Sequence, residues 1–234
     1  MEKQRTPREQ KKLFIILWVL SILGALAILP YASYLGTISS SALTPKAVLV
    51  FTLQVALFFG LICWFSNWLL QRTDIKPFSK PSVYFACLTG GVVGLIIYAL
   101  DTIIFKSTVL FEVRPPLWSG FLGSFYGAID EEVLLRLFFF TLFYYLFRKI
   151  FKFDARHRVR FLWSTNILVA VAFGLGHLPA TFQLITPTTI DIVRILLLNA
   201  IGGLVFGWLY WTRGIGSAMV AHFVADLVLH VLLI

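Results

Sequence analysis

The stretch Leu117–Phe147, LWSGFLGSFYGAIDEEVLLRLFFFTLFYYLF, carries Asp130, Glu131, Glu132 and Arg136 and no other charged residue. About 20 apolar residues cross the roughly 30 Å of hydrocarbon in a bilayer as a helix, so this run is long enough to span one. A carboxylate at that depth costs at least about 2.5–3.5 kcal/mol on insertion scales. Three acids with a base one helical turn on therefore read as groups the protein uses. Their use depends on what the rest of the chain places beside them.

The surrounding sequence is of the same kind. Of 234 residues, 59% are hydrophobic and 13% charged, about half the charged fraction expected of a soluble domain. The mean hydropathy is +0.87. Seven apolar runs are long enough to span: Leu13–Leu35, Ala47–Leu70, Ser82–Phe105, Leu117–Phe147, Phe161–Leu178, Ile190–Trp211 and Ile215–Ile234. None shows the two-residue alternation of a barrel strand. The expectation is all-α: one membrane-embedded helix bundle of about seven spans over residues 1–234, with residues 1–12 as a basic tail. Leu13–Leu29 is long for a cleaved signal and Tyr31-Ala32-Ser33 is a poor cleavage site, which favours an uncleaved first span. Cys63 and Cys87 lie in separate runs without metal-ligand spacing and read as packing residues.

The net charge of +9 does not point to nucleic acid, because the basic residues fall between spans. Lys3, Arg5, Arg8, Lys11 and Lys12 precede the first run, and Arg72, Lys76 and Lys80 follow the second. Arg148, Lys149, Lys152, Arg156, Arg158 and Arg160 follow the fourth, and Arg213 follows the sixth. These 15 stand against Lys46, Lys106 and Arg114 in the alternate loops. The positive-inside rule then predicts a multi-pass protein, of the cell membrane, with its N-terminus in the cytoplasm and its C-terminus outside. The fourth run exceeds a perpendicular span, so either it tilts or Leu117–Ala128 lies along the outer interface.

Glu132 and Arg136, four apart, can pair on one helix face. A purely structural network accounts for that pair and leaves Glu131 over. Phe173-Gly174-Leu175-Gly176-His177 ends the fifth run, its glycines suiting close helix approach. In the last run His222, Asp226 and His230 are spaced four and four, one stripe on a helix. Two glutamates, two or three histidines and an aspartate on three spans suit hydrolysis, with Glu as general base and His binding metal or polarising substrate. No His-Glu-x-x-His motif is present.

Glu131-Glu132-x-x-x-Arg136, Phe173-x-x-x-His177 and His222-x-x-x-Asp226, in that order, resemble the three motifs of the CAAX-protease and bacteriocin-processing family, also called Abi, in its type II CAAX prenyl protease form. The resemblance spans about Ser119–Val231, a core of residues 119–231 that includes GLVFGWLYWTRGIGSAMVAH (Gly203–His222). It implies an intramembrane endopeptidase acting on a hydrophobic or lipidated peptide at the bilayer. Glu131 would activate water, His177 would hold or polarise it, and Arg136 would orient Glu132, with Phe173 in support. His222 and Asp226 would stabilise the oxyanion or, with His177, hold Zn2+; such enzymes have been framed as both zinc-dependent and glutamate-based. Two positions depart from the pattern. Asp226 stands where prenyl-protease members carry Asn, and an ionised Asp accepts but cannot donate, which suits orienting His222 or ligating metal. Leu137 stands where many relatives have Gly.

Counted from the basic end at 1.5 Å per residue, Glu131 and His177 both come out about 24 Å deep and His222 about 10 Å. The first two are thus expected to pair, with the last helix displaced or the others tilted. Two other functions use the same residues: a non-catalytic scaffold or bacteriocin-immunity protein that keeps the fold, and a proton or ion transporter. The chain lacks the internal repeat and paired interrupted helices that mark many transporters. Asp130 and His230 receive no role.

Overall fold

The computed structural model describes residues 7–105, 115–152 and 155–233. Lys3 and Arg5 of the basic tail, Lys106 and Arg114 of the opposite loop, and Ile234 lie outside the described residues. Among those described, every regular element is helical. In order they are α1 (Pro7–Ala27), α2 (Leu29–Leu35), α3 (Pro45–Leu70), α4 (Val83–Ile103), α5 (Leu117–Tyr126), α6 (Thr141–Phe151), α7 (Arg158–Leu184), α8 (Thr189–Arg213) and α9 (Ile215–Leu227). Pro30 and Pro45 start α2 and α3 from the first turn, where a missing N–H costs nothing. Thr188 caps α8 in a reciprocal pair with Asp191.

Six helices, α1 and α2 counted together, are long and apolar enough to cross a membrane. Their outward faces are apolar as well: Leu53, Leu57 and Leu61 on one stripe of α3 are 62%, 67% and 49% exposed. A helix apolar all round belongs in lipid. The chain is an integral, multi-pass membrane protein.

The decisive run from Leu117 is one continuous helix to Phe151, about 50 Å long. Its interior is π-helical at Gly127–Glu131 and Val133–Phe140. Gly127, Glu132 and Thr141 at the joins all keep right-handed helical dihedrals. There is no break at Ala128, so a separate interfacial segment ending there is not formed.

Around this helix, α7 packs on α8, α9 on α8 and α4, and α1 on α3. Small residues set the closest approaches: a Cβ on Gly90 of α4 would run into the Ala221 carbonyl of α9. The α8–α9 turn at Gly214 (φ 82°) is held by the α3–α4 loop, where the Pro77 carbonyl accepts from Ile215 N–H at 2.7 Å.

That turn is set inward from the basic end. Thr141 at the head of α6 hydrogen-bonds the Tyr210 hydroxyl at 2.8 Å, and Trp163 of α7 packs edge-on against Trp211 at 5.0 Å. From the level of Tyr210, α6 runs on for about 15 Å. Beyond it, Asp74 of the α3–α4 loop binds both Arg148 of α6 (3.1 Å) and Arg158 of α7.

Candidate active site

The inward turn brings the polar residues of two helices to one depth. Glu132 lies nine residues back from Thr141, and His222 lies seven residues into α9. His222 Nδ1 meets Glu132 Oε1 at 2.8 Å. On its other side, His222 Nε2 lies 3.6 Å from Glu131 Oε2 and 3.7 Å from Asp226 Oδ1. Glu131, Glu132, His222 and Asp226 therefore form one cluster, and the last helix, expected to be the odd one in depth, supplies its centre. Counting from the basic end failed because α6 and the first turn of α7 project past the α8–α9 turn.

Burial divides the cluster. Glu132 and Arg136 are fully buried, whereas the Glu131 and Asp226 side chains are 20% and 15% exposed. Arg136 Nε lies 3.4 Å from Glu132 Oε2, an ion pair without a well-formed hydrogen bond. Arg136 Nη2 donates to the Gly203 carbonyl at 3.2 Å. Its guanidinium also lies 5.3 Å and 5.9 Å from the ring centres of Phe173 and Phe206, a distance at which the ring face attracts a cation. Phe206 stacks on the His222 ring at 4.5 Å and 21°, while Phe173 meets it edge-on at 5.8 Å. The imidazole is thus fixed by a carboxylate on Nδ1 and aromatic rings on its flanks.

His177 is not drawn into this set. Its Nδ1 lies 2.9 Å from the Phe173 carbonyl of its own helix, and among the described residues no hydrogen bond or ion pair joins it to Glu131. It sits one turn beyond Phe173, whose ring touches both His177 (4.8 Å) and His222. Along their own helices, His177 is about 21 Å from Trp163 and His222 about 10 Å from Ile215. The third member of the stripe, His230, pairs through Nδ1 with the Tyr31 hydroxyl at 3.2 Å. Asp130 is 1% exposed, packs against Gly24 of α1, and neither carboxylate oxygen has a hydrogen-bond partner among the described residues.

A zinc site needs at least three donors converging on one point. Among the described residues no group of three or more His, Cys, Asp or Glu does so. His222 Nε2 lies 3.7 Å from Asp226 Oδ1, but His177 stands a turn away, so His177, His222 and Asp226 as placed do not converge on one ion.

Three contributors were not singled out from the sequence. Gly127, in the first π segment, leaves the space that Asp226 and His222 fill: a Cβ there would overlap the Asp226 carboxylate and lie 3.1 Å from His222 Nε2. Phe206 and the Gly203 carbonyl hold His222 and Arg136. The signal available for Gly127 was its place four residues before Glu131; for Phe206 and Gly203 it was the GLVF string beginning at Gly203.

Comparison with curated proteins and with solved structures yields no match. Residues 113–228, essentially half of the chain, match a family model described as type II CAAX prenyl endopeptidase Rce1-like. The matched stretch contains the whole Glu131–Asp226 cluster and His177, and with it the chain belongs to the Rce1-like family of type II CAAX prenyl endopeptidases, a family of membrane proteases.

Proposed function

We propose that the protein hydrolyses a peptide bond of a hydrophobic or lipidated, CAAX-type peptide within the membrane, with Glu131 as general base. The observation that carries this reading is His222, held by Glu132 on one nitrogen and facing Glu131 and Asp226 with the other. The spacings of 3.6 and 3.7 Å at Nε2 are too long for direct hydrogen bonds, so this nitrogen faces two carboxylates without being taken up by either.

The roles follow from burial and donor chemistry. Glu131 is the more exposed glutamate and takes the proton as water adds to the carbonyl carbon. Glu132 has no access to water; it accepts from His222 Nδ1–H and is held by Arg136, so it aims the imidazole. With Nδ1–H committed there, a second proton on Nε2 makes His222 the donor facing the oxyanion. Asp226 accepts but cannot donate, so it steadies the imidazole rather than the oxyanion. As the C–N bond breaks, Glu131 returns its proton to the departing amine, leaving a carboxylate and a free amine. His177, with Nδ1–H donated to the Phe173 carbonyl, offers a bare Nε2 one turn from the cluster, where it can accept from a substrate N–H.

The test is cleavage of a fluorogenic farnesylated CAAX peptide by protein in nanodiscs. Glu131→Gln should lower the rate by about 10²–10⁴-fold, the range for losing a general base, and His177→Ala should also abolish useful turnover. Circular dichroism and gel filtration of both variants should match the parent. Full activity in either variant would sink these roles, and a biological effect retained by Glu131→Gln would favour a scaffold.

A further inference from the structure

Away from the Glu131 cluster, α1 and α3 flank an open slot of about 480 Å³. Its inner end is fixed, because Trp18 Nε1 donates to the Ala56 carbonyl at 2.7 Å and the indole then closes over Gly60. From there the slot runs toward the basic end, between Trp64 on α3 and Phe14 on α1. Its outer end is polar, formed by Lys11 with Asn67 and Gln71. Along α3 the lining covers Gly60 to Gln71, about 16 Å of helix.

Polarity is therefore graded along the slot, apolar at depth and polar where the two helices end. A wholly apolar groove would suit any hydrocarbon; this one suits an amphiphile lying with its head at the surface. The sign of the head follows from Lys11, which is exposed and flanked by Arg8 and Lys12. The nearby Arg72 is already engaged, lying 4.0 Å from the Trp68 ring centre and donating to the Trp68 carbonyl. The volume falls within the range of single small-molecule sites. All the lining residues lie outside the stretch 113–228, and none belongs to the Glu131 cluster.

The geometry points to a binding site for an anionic phospholipid of the surrounding bilayer, with one acyl tail between Trp18 and Trp64 and the phosphate at Lys11. The slot shapes the tail, and the cation selects the head.

Native mass spectrometry of delipidated protein with dioleoylphosphatidylglycerol or dioleoylphosphatidylcholine tests this without reference to catalysis. The first equivalent of phosphatidylglycerol should bind about fivefold more tightly, the value of one lysine near an anionic surface. Lys11→Glu, at an exposed position, should bring the ratio to about one or below. Gly60→Leu should lower occupancy by both lipids, with the near-UV spectrum reporting whether the fold survives. Lys76→Glu, on the same end but outside the slot, should leave the ratio unchanged. Equal binding of the two lipids by the parent overturns the site. So does a loss of selectivity in Lys76→Glu as large as that in Lys11→Glu, which would mean diffuse attraction to the basic end.

Discussion

The site's tolerance is narrowest at Gly127. Its missing side chain is the space into which Asp226 and His222 reach from α9, so a methyl group there must move those two side chains. Gly127→Ala should therefore displace the Asp226 carboxylate and reduce cleavage by about 10²-fold or more, the cost of misplacing catalytic groups by about 1 Å. Gly91→Ala, where an added Cβ meets nothing within 4 Å, should leave the rate unchanged. Arg136 poses a different problem, since it is fully buried beside a fully buried carboxylate. Breaking such a pair leaves an uncompensated charge and costs about 3–5 kcal/mol. Arg136→Met should lose that much stability in unfolding titrations in mixed micelles. Arg136→Met with Glu132→Gln should recover most of it while staying inactive, because Glu132 also aims His222.

Among the elements, the helix Leu117–Phe151 departs most from what its sequence implied. Its acids were legible, and so was the Glu132–Arg136 pair, because a charge in an apolar run is too costly to be incidental. The π-helical backbone at Gly127–Glu131 and Val133–Phe140 was not, since an i to i+5 ladder has no hydrophobic period of its own; such segments occur often at functional sites. The extension of α6 past the α8–α9 turn was hidden too, because apolar length says nothing about where two helices are level. That extension is pinned by Asp74. Burial alone would raise its carboxyl, but hydrogen bonds from Arg158 and Tyr144, with the Arg158 charge, hold it below the ordinary carboxylate value. A depressed folded-state value means stabilisation that is complete above about pH 4 and is lost as pH falls through the lowered value. Melting temperature in detergent should thus fall on acidification below about pH 4, with a shallower fall in Asp74→Asn. Equal acid limbs would show that the clamp contributes nothing measurable.

At the scale of the whole molecule, the seven apolar runs were legible as helices, six of them long and apolar enough to cross a membrane, because bilayer thickness and helix rise tie sequence length to span length. The fifth runs on past Leu178 to Leu184. What stayed hidden was relative depth, and with it the identity of the glutamates' partner: His222, not His177, lies against Glu131 and Glu132. The orientation of the bundle rests on the count of 15 Lys and Arg against 3. Asp74 holding Arg148 and Arg158 ties two of the basic loops together at one end. We propose, from positive-inside bias, that this end faces the cytoplasm. In a background lacking Cys63 and Cys87, Lys76→Cys and Arg156→Cys should react with a membrane-impermeant maleimide only after intact cells are permeabilised. Thr186→Cys, in the α7–α8 loop at the other end, should react at once. The reverse pattern would place the basic end outside and move access to the Glu131 cluster to the other face of the membrane. Labelling of all three from outside would mean leaky cells, which a cytosolic protein thiol labelled alongside would reveal.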